Sequence, residues 1–203
     1  ILKRLIDIVL AVLLIGMLSP VLFFIVVFIF LKDGSPVIIK QDRVGLHGKI
    51  FKMYKFRTMY SNSHSKREGL QDLNKNDEVI FKIENDPRIF SGGQILRKYS
   101  LDELPQLINV LKGEMSLVGP RPHPVSLDLS YLSIYESFLT RYRCNPGLTG
   151  WAQINGLRGA TPDPEEMKKR MDYDLWYLNN WTIWLDLFII LKTFYALIKY
   201  KGD

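Results

Sequence analysis

The sequence predicts an α+β fold, mainly α, in which an N-terminal re-entrant membrane helix broken at Ser19-Pro20 is followed by a small β-hairpin and amphipathic interfacial helices. Three observations predict it. Residues 8–31 contain no charged side chain. Two strand-like stretches flank Gly45-Leu46-His47-Gly48. Past residue 100, apolar side chains recur at spacings of three and four, the period of a helix with one buried face. With 203 residues, 47% of them hydrophobic, the chain reads as one structural unit with a sizeable core. It divides into a membrane helix over 1–31 and a cytoplasmic domain over 32–203 whose C-terminal helices lie at the lipid interface.

A straight helix over 8–31 would reach about 36 Å, enough to cross a bilayer. Ser19-Pro20 lies in its middle, and proline removes a ladder hydrogen bond, leaving halves of about 18 Å that are too short to span alone. Lys3 and Arg4 precede the segment, and Lys32, Lys40 and Arg43 follow it, so the positive-inside bias puts both ends on the cytoplasmic side. A helix that enters and turns back meets both conditions, with Ser19 free to bond a carbonyl that Pro20 leaves open. A proline-kinked full span and a buried soluble helix are the alternatives; no small-residue cleavage site marks a signal peptide.

Asp33-Gly34-Ser35-Pro36 is turn chemistry, 37–39 a short strand, and 45–48 a hairpin loop leading into a strand over 49–57. Lys55 and Arg57 then share a strand face, where two cations could hold a phosphate or simply face solvent. Residues 58–94 are polar and irregular apart from Val79-Ile80-Phe81, as in a mobile loop or lid, and Asn85-Asp86-Pro87-Arg88 marks a turn.

Charge concentrates next. Arg97-Lys98-Tyr99-Ser100-Leu101-Asp102-Glu103-Leu104-Pro105-Gln106 sets two adjacent carboxylates after a basic pair and at the start of the helical pattern Leu104, Leu107, Ile108, Leu111. Ser100 to Glu103 fits a capping box. Pro105 argues against Ser100 as the N-cap and moves the start to Leu101 or later, beside which free N–H groups favour the carboxylates. In Gly119-Pro120-Arg121-Pro122 the flanking prolines hold the backbone extended and fix the direction of the guanidinium, which suits bidentate phosphate binding or a rigid turn.

Residues 126–143 read as one amphipathic helix with Leu129, Leu132, Tyr135, Phe138 and Leu139 on one side. The glycines of Asn145-Pro146-Gly147-Leu148-Thr149-Gly150 permit a backbone close to a ligand, or a tight turn. Asp163-Pro164-Glu165-Glu166 opens a helix to about Leu178, and Thr182 caps another from Ile183 to about Tyr200. Asp186 and Lys192 interrupt the latter, so it is not a second span. Trp176, Tyr177, Trp181 and Trp184 suit a headgroup boundary or an aromatic core.

A net charge of +6 calls for an anionic partner. Cys144 is the single cysteine and has no disulfide partner within the chain. His47, His64 and His123 lack zinc-ligand spacing, and no recognised nucleic-acid motif accompanies the basic residues.

In combination, the basic flank, the apolar segment with Ser19-Pro20, Tyr54-Lys55-Phe56-Arg57-Thr58-Met59, Ser100 to Gln106, Gly119 to Pro122 and Pro146-Gly147-x-Thr149-Gly150 resemble the bacterial sugar transferase family, the monotopic polyprenyl-phosphate phosphoglycosyl transferases. The resemblance covers essentially the whole chain. It favours the re-entrant form of the N-terminal helix and makes 32–203 a catalytic domain. It implies transfer of a sugar 1-phosphate from a UDP-sugar to undecaprenyl phosphate, with release of UMP, at the cytoplasmic face of the bacterial inner membrane. This would be the first membrane step of exopolysaccharide, O-antigen or glycoconjugate synthesis. By the same resemblance Asp102 is the nucleophile, forming an aspartyl phosphosugar. Glu103 is the metal-associated acid beside it, Mg2+ is required and held by Asp102 and Glu103, and Lys55, Arg97 and Arg121 bind phosphate. Gly156-Leu157-Arg158-Gly159 and the segments 167–177 and 181–187 look more like the hexose-transferring enzymes, favouring UDP-glucose and then UDP-galactose. Many members carry a further N-terminal membrane region, so the chain is either a small stand-alone form or the catalytic piece of a longer one. The expected partners are the UDP-sugar, undecaprenyl phosphate and the inner membrane, with no nucleic acid and with a homo-oligomer left open. Two rivals remain at this level: an anionic-lipid-binding protein without catalysis, and a phosphatase that uses water as acceptor.

Overall fold

The computed structural model describes residues 1–61, 63, 86–132, 136–158 and 164–199. The lid expected over 58–94, with Val79-Ile80-Phe81, therefore falls largely outside the described residues, as do His64, Asn85, Tyr135, Gly159 and Asp163.

Helix α1 runs Leu2–Asp33 with Pro20 inside it. The break expected at Ser19-Pro20 does not divide the element in two. A proline at position 20 has no N–H for the carbonyl of residue 16, and the Ser19 hydroxyl donates to that same Gly16 oxygen at 2.8 Å. Helical backbone continues on both sides of Pro20.

Both ends of α1 are fastened to the rest of the chain. Lys3 Nζ lies 2.6 Å from Asp186, Arg4 donates to the carbonyl oxygens of Val110 and Leu111, and Asp7 accepts from the Ser116 hydroxyl at 2.8 Å and the Leu117 N–H at 3.0 Å. At the other end Arg57 donates to the carbonyl oxygens of Asp33 and Gly34 at 2.8 and 2.7 Å. Ile25 and Ile29 pack there with Phe56, Phe90 and Leu96. Between these anchors Met17, Phe23 and Phe24 are exposed.

Strands β1 (Ile38–Val44) and β2 (Ile50–Phe56) form the expected antiparallel hairpin, in register from Ile38 opposite Phe56 to Val44 opposite Ile50. His47 at φ 56° and Gly48 at φ 74° turn the chain between them. β1 is longer than the strand expected over 37–39. β2 ends at Phe56, although the Arg57 N–H still donates to the Val37 oxygen at 2.9 Å; the Arg57 guanidinium serves the end of α1 while Lys55 reaches Glu103, so the two cations do not act together.

Helix α2 (Gly93–Lys98) leads through a short 3-10 turn at Leu101–Glu103 into α3 (Gln106–Lys112), which ends on Gly113 at φ 83°. Two elements escaped the sequence reading: β3 (Ser116–Val118) and β4 (Gly147–Thr149), a parallel pair. A Cβ on Gly147 would lie 2.1 Å from the Gly119 nitrogen, and one on Gly150 would lie 2.2 Å from the Gly119 oxygen. These glycines let two backbones meet, which decides for the structural use of the glycine-rich segment over a ligand loop.

The single helix expected over 126–143 is instead α4 (Val125–Leu132) and a 3-10 segment, Glu136–Arg143. Phe138 is fully buried against Tyr131, Met167 and Met171, while Leu139 is exposed, because a three-residue period turns adjacent side chains to different faces. After α5 (Trp151–Ile154) come α6 (Pro164–Asn179) and α7 (Ile183–Lys199), close to the expected bounds. Thr182 Oγ1 accepts from the Leu185 N–H at 3.0 Å, the predicted cap. The aromatic group divides: Tyr177 is buried and donates to Asp186 at 2.7 Å, whereas Trp176, Trp181 and Trp184 are exposed.

Candidate active site

The 3-10 turn after α2 presents Asp102 and Glu103 toward β2 and the proline-flanked Arg121. Ser100 enters it at φ 55°, a left-handed conformation, and its hydroxyl caps no N–H. It accepts instead from Arg158. The capping-box reading therefore fails, and both carboxylates are left for other partners.

Those partners are unequal. Glu103 Oε1 accepts from Lys55 Nζ at 2.8 Å and from Arg121 Nη2 at 2.6 Å, and Oε2 accepts from Arg121 Nη1 at 3.1 Å. This is a bidentate guanidinium clamp with an ammonium on one oxygen. Arg158 adds a guanidinium 3.9 Å from Oε2. Burial works against the charge on Glu103, but Arg121 and Lys55 hold its carboxyl well below the usual carboxylate range. Asp102 is also buried, yet among the described residues its carboxylate accepts no hydrogen bond. Burial pushes Asp102 up; Lys55, Arg97 and Arg121 pull against that shift, and Glu103 adds to it. Neighbouring residues thus have opposite characters: Glu103 is pinned and Asp102 is open.

The structure brings all five sequence-predicted site residues to this one place. Lys55 comes from β2, Arg97 from the end of α2, and Arg121 from the turn after β3. Arg97 Nε donates to Thr58 Oγ1 at 2.8 Å, and its charge is near enough to pull the Asp102 carboxyl down. Ser19 and Pro20 lie apart, in the exposed middle of α1. Arg141 supports Arg121 from behind, donating to its carbonyl oxygen at 2.7 Å and to Asp174 at 3.0 Å.

Sequence reasoning missed Arg158, Thr58, Arg141 and Asp174 as parts of this arrangement. The signal for Arg158 was a cation in the glycine-bounded run that starts at Gly156; Thr58 and Asp174 stood in stretches quoted only for the resemblance, and Arg141 carries no local mark. Cys144 is no rival nucleophile, since burial pushes its thiol up to about 12.

Among the described residues no group of three or more histidine, cysteine, aspartate or glutamate side chains could enclose a metal. Magnesium does not require one: it takes one or two carboxylates and completes its shell with water and substrate phosphate. The open Asp102 carboxylate and Glu103 Oε2, which has a single close donor, fit that demand.

A buried carboxylate pair beside four cations, in a chain whose N-terminal helix is long and apolar enough to cross a membrane, has the charge pattern of an enzyme site. The chain belongs to the bacterial sugar transferase family, whose family model matches residues 1–200. The UDP-glucose:undecaprenyl-phosphate glucose-1-phosphate transferase of Escherichia coli is 45% identical over 193 residues, covering 95% of this chain and 39% of that protein. The undecaprenyl-phosphate galactose phosphotransferase of Salmonella typhimurium is 42% identical, covering 99% and 41%. A sugar transferase of Bacillus subtilis, itself uncharacterized, is 43% identical over 203 residues, covering all of this chain and 90% of its own length. This chain thus spans about two fifths of the first two relatives.

Proposed function

We propose that this transferase moves a sugar 1-phosphate, glucose first and galactose second, from a UDP-sugar to undecaprenyl phosphate. The observation that carries the reading is the division between the two carboxylates. Asp102 has an oxygen free to attack, while Glu103 gathers Lys55 and Arg121 beside it. The Asp102 oxygen attacks the sugar-bearing phosphorus. The bond from that phosphorus to the bridging oxygen breaks, and its electrons leave with UMP. A phosphate oxygen of the polyprenyl acceptor then attacks the same phosphorus, the bond to Asp102 breaks, and the carboxylate is restored with a diphosphate-linked sugar as product. Lys55, Arg97 and Arg121 offset the charge that would otherwise repel a carboxylate from a diphosphate. Magnesium, held by Asp102 and Glu103, would neutralise the diphosphate further and favour departure of UMP.

The re-entrant, cytoplasmic-face placement is supported by the anchoring of α1. Its 32 residues would extend about 48 Å if straight and spanning, yet both ends attach to one domain. A helix that dips into the membrane and returns keeps both anchors, and basic residues at both ends favour the inner face of the bacterial cytoplasmic membrane.

The test is UMP release by the detergent-solubilised protein from a panel of UDP-sugars, with magnesium, with and without undecaprenyl phosphate. Sustained release that needs the lipid is expected, with UDP-glucose the best donor. Asp102→Asn should abolish both turnover and the single-cycle release of UMP. Wild-type-like release by that variant would sink the nucleophile assignment.

A further inference from the structure

A groove of about 350 Å3 reaches Glu103, the neighbour of Asp102, and is lined by side chains of α1 and α7. Leu10, Leu14 and Leu18 form its α1 wall, and Ile190 and Leu197 belong to its α7 wall. Residues four apart fall on one helix face, so the leucines make a stripe about 12 Å long. That stripe ends at Leu18, beside Ser19-Pro20 in the exposed section of the helix. Ser100, Glu103 and Arg158 also line the groove.

This shape suits an amphiphile and not a nucleotide. Its charged lining, Glu103 and Arg158, belongs to the reaction site; the remainder is mostly apolar, with Thr149, Gln153 and Thr193 as polar members, and includes the α1 stripe next to the section that faces lipid in the reading above. Arg158 is the cation at the junction. Its guanidinium donates to Ser100, stands 3.9 Å from Glu103 Oε2, and has a side chain 15% exposed. Among the described residues Lys55, Arg97 and Arg121 do not line the groove, whereas Arg158 does.

We infer that the groove seats the isoprenoid chain of the acceptor and that Arg158 receives the acceptor's phosphate, leaving Lys55, Arg97 and Arg121 for the nucleotide diphosphate. The inference rests on the transferase reading. It gives the acceptor a cation of its own beside Glu103, from which its phosphate oxygen reaches the phosphorus on the side opposite Asp102, the position that UMP vacates.

The experiment measures equilibrium binding to the full chain in nanodiscs, using geranylgeranyl phosphate and the uncharged geranylgeraniol as probes. The wild type should prefer the phosphate by about tenfold or more. Arg158→Met should reduce that preference to about twofold, and Arg158→Lys should keep most of it. Leu14→Trp, which fills the groove, should weaken both probes alike, by about tenfold. Thermal unfolding of each variant verifies that it is folded. A phosphate preference unchanged in Arg158→Met, wild-type binding of both probes by Leu14→Trp, or equal displacement of the probe by phosphatidylglycerol would overturn the inference. Arg158-dependent binding by a chain that releases no UMP would defeat the transferase reading but keep the groove. UMP release together with binding indifferent to Arg158 would do the reverse.

Discussion

His123 sits where a protonated imidazole is poorly tolerated. It is fully buried, with Arg141 Nη1 at 2.5 Å and Arg170 Nη1 at 3.4 Å. Asp128 at 3.2 Å is the carboxylate facing it. Burial, then Arg141, Arg170, Arg121 and Arg43, hold His123 well below the ordinary histidine range. In the unfolded chain the ring titrates near 6.5, so below that pH the unfolded state holds a proton that the folded state refuses. The associated stability is fully present above about pH 6.5 and falls as the pH drops, by up to about 1.4 kcal/mol per unit. His123→Gln should therefore flatten the decline of stability between about pH 6.5 and 5, read from urea unfolding midpoints. An equal decline in both proteins would show that another group titrates there. The same cluster shows what could be read from sequence at this scale. Asp102, Glu103 and Arg121 stand out because adjacent carboxylates and a proline-locked arginine are unusual in themselves. Arg141 and Asp174 do not, because their use depends on a contact between residues 33 apart in the chain.

At the scale of elements, α1 tests how much one proline contributes. Its ladder lacks the bond that Pro20 cannot make, and the Ser19 hydroxyl donates to the carbonyl that this leaves open. Pro20→Leu restores that bond and removes the ring, so the segment should straighten into a full span. Single cysteines placed at the two ends, in a Cys144→Ser background, should then label from opposite sides of the membrane, whereas in the parent both label from the same side. Labelling of both ends from one side in Pro20→Leu would mean that the ion pairs at Lys3 and Asp33, and not the proline, decide the path. Element type was legible wherever a period ran long, as in α1, α6 and α7, or wherever a turn was sharply marked, as in the hairpin. It failed for β3 and β4. Three residues are too few to display a period, and the glycines that permit their close approach look in sequence like a loop.

At the scale of the molecule, two apolar surfaces remain uncovered: the middle of α1, and the face of α7 carrying Trp184, Leu191 and Phe194, which are 79%, 72% and 61% exposed. Neither pattern alone reveals that both elements belong to one body, since the joints are the Lys3 to Asp186 ion pair and the packing of Ala11 with Ile189 and Ala196 in one core. If both meet lipid, two such surfaces on one chain would act as linked anchors: losing one would lower membrane affinity sharply and leave the other attached. Trp184 and Leu191 belong neither to the buried core nor to the groove, so Trp184→Ser with Leu191→Ser should leave the unfolding midpoint nearly unchanged. Partitioning into anionic vesicles should fall about tenfold or more, from the lost apolar burial of two large side chains. The net charge of +6 should make the residual binding more salt-sensitive, because charge then supplies a larger share of it. Vesicle flotation at two salt concentrations separates the outcomes. Unchanged flotation would mean that α7 faces water and that α1 alone holds the protein to the membrane, and a lowered unfolding midpoint would mean that α7 packs against protein there.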